Sequence, residues 1–246
     1  MSRGDDTPFH FLPRSRGRLG AGAARRTFLL VPVLLVLATG IGNAESSRDQ
    51  LRRLVESCLG SERASDCPAL VADRDPADEA SCKKTTQIWE RSADFVVIRD
   101  LKECGCPSSF RHGLAMPLTY VSGVEADEPP EGIWQFAWDA GRKRFADPAT
   151  VALAVNSRLQ RSQDQLHVHI VELADGARSR FPPGYSANLA DLSHVWAEAR
   201  ALAREKNLQD YGVLVTRAPG NGFTLLITEG DFAHSPEGLY TRYRCH

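Results

Sequence analysis

The sequence predicts an α+β fold built on an antiparallel sheet, and three observations carry that expectation. Strand-like runs come in neighbouring pairs: residues 95–99 with 111–120, residues 151–155 with 166–173, and residues 211–217 with 223–228. The third pair flanks Pro219-Gly220-Asn221-Gly222, a strong hairpin turn. Helical patterns fall between the pairs rather than after every strand, which argues against a doubly wound parallel sheet. At 246 residues, 42% hydrophobic and 25% charged, the chain can bury a substantial core in one domain.

The first 44 residues form a separate unit. Arg3, Arg14, Arg16, Arg18, Arg25 and Arg26 precede an apolar run over residues 28–41. That run is shorter than the roughly 20 apolar residues a spanning helix needs, and it contains Pro32. A signal peptide fits, with small residues Gly42 and Ala44 ahead of Glu45. The competing expectation is an uncleaved single-pass anchor with its arginine-rich end in the cytoplasm. Both place residues 45–246, expected to be a single domain, on the exported side, either at the inner membrane or as a soluble periplasmic or secreted protein.

Loss of residues 1–44 removes six Arg and two Asp, which leaves 24 basic against 29 acidic residues and a formal charge of −5. An acidic domain with no clustered positive surface excludes nucleic acid as the expected partner. The six cysteines, Cys58, Cys67, Cys82, Cys104, Cys106 and Cys245, all follow the leader, and an even count in an exported domain reads as up to three disulfides. Six cysteines allow 15 pairings, so spacing alone does not choose among them. The Cys104-Gly105-Cys106 run is read as structural rather than as half of a zinc or redox site.

Taken in order, residues 47–58 form an amphipathic helix pattern with Leu51, Leu54, Val55 and Cys58 on one side. Residues 68–84 are acidic and turn-rich, the pattern of a solvated loop. Residues 95–99 are a β-branched strand, and residues 111–120 are its partner, with Pro117 near the end. Residues 132–145 form a helix in which Trp134 and Trp138 belong to the core or its margin, with a nucleotide or acyl-chain groove as the second reading. Residues 180–186 are a loop into the longest expected helix, residues 188–207, which carries His194 at an interface. The tail from residue 231 has no clear period.

Functional chemistry concentrates in the hairpin of residues 151–173, VALAVNSRLQRSQDQLHVHIVEL. Alternate side chains of a strand share a face, so Gln165, His167 and His169 project together while Leu166, Val168 and Ile170 point into a core. Asp164 and Glu172 fall on the other face, so no carboxylate is locally available as a third metal ligand. The pair reads either as imidazole ligands to a metal or as a nucleophile toward phosphorus.

This hairpin resembles the histidine triad (HIT) superfamily, and most closely its CDP-diacylglycerol pyrophosphatase branch. The likeness rests on FVVIRD at 95–100, LAMPLTYVSGVE at 114–125, NSRLQRSQDQLHVHI at 156–170 and YGVLVTR at 211–217, in the family's order. The resemblance implies a HIT-like antiparallel sheet with packed helices, no cofactor and no metal. It also implies hydrolysis of CDP-diacylglycerol to CMP and phosphatidate through a nucleotidyl-histidine, at a membrane surface. His167 takes the nucleophile's place and His169 that of the third triad His, while Gln165 stands where the first His is expected.

As the family orients its nucleophile with a main-chain carbonyl, the changed side chain need not abolish activity. Asn156 and Gln163 occupy positions of phosphate-contacting groups. Arg158 and Arg161 are candidates to neutralise the diphosphate, and Ser157 and Ser162 are weaker hydrogen-bonding candidates. A Cys58–Cys67 bridge is also what the family pattern implies. Two other readings compete: a metal-dependent hydrolase drawing a distant ligand such as His112 or His234, and a nucleotide- or lipid-binding protein without catalysis, motivated by Gln165. Oligomeric state is not encoded in any of these motifs.

Overall fold

The computed structural model describes residues 47–60, 63–71, 78–231 and 235–245. The expected signal or anchor, and His234, lie outside the described residues.

The described residues begin with a continuous helical stretch: a 3-10 turn at Ser47–Asp49, helix α1 at Gln50–Arg53 and a wider π turn at Leu54–Cys58. It buries Leu54, Val55 and Cys58, as the amphipathic pattern predicts. Strand β1 (Ala69–Val71), helix α2 (Glu79–Lys83) and strands β2 (Thr85–Arg91), β3 (Phe95–Arg99) and β4 (Gly113–Pro117) follow. Then come helix α3 (Gly132–Arg144) and the central hairpin of β5 (Val151–Val155) and β6 (Val168–Glu172). The chain ends with β7 (Ser186–Leu189), α4 (Val195–Glu205), β8 (Tyr211–Arg217), β9 (Phe223–Glu229) and α5 (Pro236–Tyr240). The nine strands form one sheet in the order β1-β2-β3-β4-β6-β5-β8-β9-β7, antiparallel except where β1 meets β2. The fold is therefore α+β, as expected.

Strand alternation divides the side chains between two faces. On the first, Val97, Ala115, Leu153, Val168, Ile170, Val215 and Ile227 pack against α3 and α4, including Trp134 and Trp196, whose rings lie 4.7 Å apart. On the second face there are two smaller clusters. Val96, Ile98, Leu114 and Met116 are covered by the N-terminal helical stretch, and Ala152, Ala154, Val171, Leu214 and Leu226 lie under Tyr240 of α5. Where those two covers meet, the second face carries polar side chains.

Two stretches differ from expectation. Residues 188–207 are not one helix: Ser186–Leu189 pairs with β9 at the sheet edge, and the helix starts only at Val195. Its start is fixed from a distance, because the Glu131 carboxylate accepts from the Trp196 and Ala197 amides at 3.0 and 3.1 Å and so supplies the missing N-terminal acceptors. The acidic stretch 68–84 likewise contains β1 and α2. The Asp78 side chain caps α2 by accepting from Ser81 N at 2.8 Å, and Cys82 is buried beneath it. The unpredicted strand β2 completes that edge.

All six cysteines are paired: Cys58–Cys67, Cys82–Cys104 and Cys106–Cys245. The last spans 139 residues and fastens the tail beside the start of β4.

Candidate active site

The second face assembles the site by period-two alternation. Asp100 continues the parity of Val96 and Ile98 just past β3, and His112 precedes Leu114 and Met116 of β4 at the same parity. Asn156 follows Ala152 and Ala154 of β5, and His169 precedes Val171 on β6. Because β3, β4, β6 and β5 are consecutive neighbours in the sheet, four distant positions become one row of polar groups.

His167 and His169 lie side by side with ring centroids 4.8 Å apart, both buried, while Leu166, Val168 and Ile170 enter the core as expected. His167 Nδ1 lies 2.7 Å from the main-chain oxygen of Gln165. A carbonyl can only accept, so Nδ1 carries the proton and Nε2 presents its lone pair. Burial holds the ring's pKa below the usual imidazole value, opposed in part by that carbonyl, so the ring is neutral near pH 7.

A second chain of contacts supports His169. His112 Nδ1 lies 3.2 Å from the Tyr243 carbonyl, so it too is the protonated nitrogen, and Nε2 faces His169 Nδ1 at 3.0 Å. His169 Nδ1–H then fills that contact, leaving His169 Nε2 toward Asn156 Nδ2 at 3.4 Å. Burial lowers the pKa of both rings, that of His169 well below the ordinary value, with the nearby Lys102 ammonium adding to the effect.

The tail supplies a carboxylate that reaches most of these groups. Glu237 Oε2 accepts from Asn156 Nδ2 at 2.9 Å. Its Oε1 holds Lys102 Nζ at 2.5 Å and lies 3.3 Å from His169 Nδ1 and 3.4 Å from His112 Nε2. The Asn156 Oδ1 accepts from the Ser235 hydroxyl at 2.7 Å, which fixes the amide's orientation.

Two cavities open on the His pair and share Lys102, Ser162, His167 and His169. One, of about 450 Å³, is walled by Asn156, Gln160 and the tail at Ser235, Tyr243 and Arg244. The other, of about 520 Å³, runs beneath the N-terminal helical stretch along Leu51, Leu54, Ile98, Leu101 and Leu114, with Gln163 at its side.

The structure thus gathers some of the sequence candidates and not others. Asn156, Ser162, Gln163, His167 and His169 line the cavities. Gln163 Oε1 also accepts from Leu51 N at 3.0 Å, tying the N-terminal stretch to the site loop. Arg158 is exposed, with its amide bound to Asp210, and is not a lining residue. Arg161 is turned away into a bidentate pair with Glu125, at 2.5 and 2.6 Å. Ser157 is fully buried, and Gln165 is buried with its amide donating to Thr119 O at 3.0 Å, so neither reaches a cavity. His194 stands exposed at the start of α4.

Sequence reasoning missed Asp100, Lys102, Ser235, Glu237 and Tyr243, and named His112 only as a distant metal ligand. Strand parity signals Asp100 and His112; nothing in the aperiodic tail signals Glu237.

Donor atoms of Asp100, His112 and His169 lie within 4.8 Å of one another, a grouping that can be asked to hold a metal ion. Its fit is imperfect, because His112 Nε2 and His169 Nδ1 already share a hydrogen bond and a cation, the Lys102 ammonium, already lies against Glu237 beside them.

The arrangement therefore offers a neutral nucleophilic ring flanked by hydrogen-bond donors and one ammonium, between two cavities of different character. A family model described as CDP-diacylglycerol pyrophosphatase matches residues 46–200, more than half of the chain. The chain belongs to the CDP-diacylglycerol pyrophosphatase family and is a hydrolase of the diphosphate bond that joins CMP to phosphatidate.

Proposed function

We propose that this hydrolysis runs through a covalent nucleotidyl-histidine on His167, in a HIT-like domain of residues 45–246. The observation that carries the reading is the His167 Nδ1 contact to the Gln165 main-chain oxygen at 2.7 Å. It leaves Nε2 as the nucleophilic lone pair, and it does so through the backbone, which the change from His to Gln at position 165 does not alter.

A neutral imidazole approaches an anionic phosphoanhydride without charge repulsion. His167 Nε2 attacks the phosphorus of the CMP half, and the bond to the bridging oxygen breaks, releasing phosphatidate. The positive charge that develops on the ring is met at Nδ1–H by the Gln165 carbonyl. Water then attacks the same phosphorus, the P–N bond breaks, and CMP leaves with His167 neutral again. Asn156 Nδ2–H and the Lys102 ammonium are the donors that meet charge on the phosphoryl oxygens; as Asn156 Nδ2–H passes from its long contact with His169 Nε2 to the phosphoryl oxygen, that ring nitrogen is freed to receive the water's proton. The substrate's lipid half and residues 1–44 together support action at a membrane surface on the exported side, whether that leader is retained as an anchor or removed.

The test is CMP release from CDP-diacylglycerol in detergent micelles by the domain and by His167→Ala, each with and without chelator. Release that survives chelation and vanishes in the variant is expected, together with a labelled protein adduct trapped from substrate carrying label in the CMP phosphate. The grouping of Asp100, His112 and His169 favours a metal-assisted second reading. Chelator-sensitive release without a trapped adduct would establish that reading instead, and binding without release would establish an inactive module.

A further inference from the structure

Residues 201–246 lie beyond the stretch matched by the family model, and yet they place a buried carboxylate at the centre of the polar row. We propose that Glu237 is a positioning residue for the reaction: it locks the Asn156 amide so that its NH2 group, not its carbonyl, faces His169 and the phosphoryl site. This rests on the function proposed above, which it extends to the tail after residue 231, where the sequence shows no motif.

An amide side chain has two faces of nearly equal shape and opposite polarity, so a free Asn can present either an acceptor or a donors' edge to a cleft. Here both ends are committed. Ser235 Oγ–H donates to Asn156 Oδ1 at 2.7 Å, and Glu237 Oε2 accepts one Nδ2 proton at 2.9 Å. The second Nδ2 proton is left pointing toward His169 Nε2, 3.4 Å away on the cavity wall. That contact is long, and an anionic phosphoryl oxygen entering the cavity takes the same proton in place of the ring nitrogen, so it meets a donor. A flipped amide would meet it with a carbonyl oxygen and repel it.

Glu237 is itself fixed. It is only 4% exposed, its other oxygen holds Lys102, and it sits in α5, whose start is capped by the Ser235 hydroxyl accepting from Gly238 N. Ser235 thus serves the helix start and the amide together. The Cys106–Cys245 bridge and the Leu173–Thr241 pairing fasten the chain just beyond. An ordinary structural ion pair would explain the Lys102 contact, but it would leave the Asn156 contact without a purpose.

Glu237→Gln has one acceptor oxygen for two donors, Lys102 Nζ and Asn156 Nδ2, so the ammonium takes it and the Gln NH2 group faces Asn156; Glu237→Ala removes both acceptors. Two readouts are to be made on the exported domain. The first is the side-chain amide pair of Asn156 in a 1H–15N spectrum, assigned by loss in Asn156→Asp, which needs no activity. A dispersed, slowly exchanging pair is expected in wild type, and an averaged, fast-exchanging pair in the isosteric Glu237→Gln and in Glu237→Ala alike.

The second readout is CMP release. Glu237→Ala should lose roughly 10- to 100-fold in kcat with KM within a few-fold, and the isosteric Glu237→Gln should lose a comparable factor; the lower bound matches the loss of about one buried hydrogen bond to a charged group. An unchanged Asn156 pair in Glu237→Ala overturns the proposal, whatever the enzyme does. A disordered pair with unchanged kcat overturns its link to catalysis. If wild type itself releases no CMP, the proposed reaction fails while the amide spectrum still decides the lock.

Discussion

Replacing Gln165 with Ala separates the two ways position 165 can matter, through its side chain or through its backbone. The side chain is fully buried, donating its amide to Thr119 O at 3.0 Å and to Pro117 O at 3.4 Å. Truncation leaves those carbonyls unpaired, a cost of about 1–3 kcal/mol. Part of it is offset, because the Gln165 Oε1 is buried with no hydrogen-bond partner among the described residues and its removal relieves that burial. At about 2–4 °C per kcal/mol for a domain of this size, the melting temperature should fall by roughly 2–10 °C. The contact from His167 Nδ1 to the main-chain oxygen needs no side chain at 165 and should persist. Well below the melting point, kcat for CMP release should therefore stay within about threefold of wild type. Differential scanning fluorimetry and chromatographic assay of CMP read the two quantities independently. A hundredfold fall in kcat with the expected small change in stability would refute the reasoning, because it would show the side chain itself taking part.

Acid should inactivate and destabilise the domain together. His112, His167 and His169 are held neutral by burial, with native pKa values below the unfolded value of about 6.5, so the unfolded chain binds more protons as pH drops below that value. Stability is fully present above about pH 6.5 and is lost below it; thermal melts from pH 8 to pH 5 should show a fall that begins there, and a melting temperature that rises on acidification would contradict it. The acid limb of kcat/KM should likewise lie below pH 6.5. Removing the Cys106–Cys245 bridge by double substitution to Ser should cost about 5 kcal/mol on chain-entropy grounds for a loop this long, measured by urea unfolding. It should also depress kcat at temperatures where the fold persists, since the tail carries both Glu237 and the carbonyl that sets the His112 tautomer; full activity in a folded variant would disconnect the tail from the site.

The fold was legible where periodicity and turn chemistry agree. The alternation of LHVHI put Leu166, Val168 and Ile170 into the core and the two histidines on the other face, and Pro219-Gly220-Asn221-Gly222 joined β8 to β9. Legibility failed where a tertiary contact decides a boundary. Nothing local stops a helix running from residue 188, but the β9 edge claims residues 186–189 and Glu131, far away in sequence, supplies the acceptors that start α4 at Val195. In the site the same division holds. His167 and His169 could be found from one strand, whereas Arg158 and Arg161 were misleading because charge in a loop says nothing of direction: one faces solvent and the other is consumed by Glu125.

The node of Asp100, Lys102, His112, His169 and Glu237 raises a question of energy that its geometry also answers. Taking two carboxylates out of water is costly, and an ion pair with a half-buried ammonium seldom repays that cost by attraction alone. Here each charge has further hydrogen bonds. Asp100 Oδ1 accepts from Lys102 N at 2.9 Å, Glu237 Oε2 accepts from Asn156 Nδ2, and Glu237 Oε1 accepts from Lys102 Nζ. Such an arrangement tolerates little displacement, because losing any one partner leaves a buried charge unsatisfied. The tail bearing Glu237 has only a five-residue helix of its own, too short to be stable alone, so its position must be imposed from outside. Cys106–Cys245 imposes it from the segment just before His112, the residue whose Nδ1 the same tail receives at Tyr243 O. The covalent link and the polar node thus constrain the same few residues from two sides, which is why a site of five distant segments can hold one geometry.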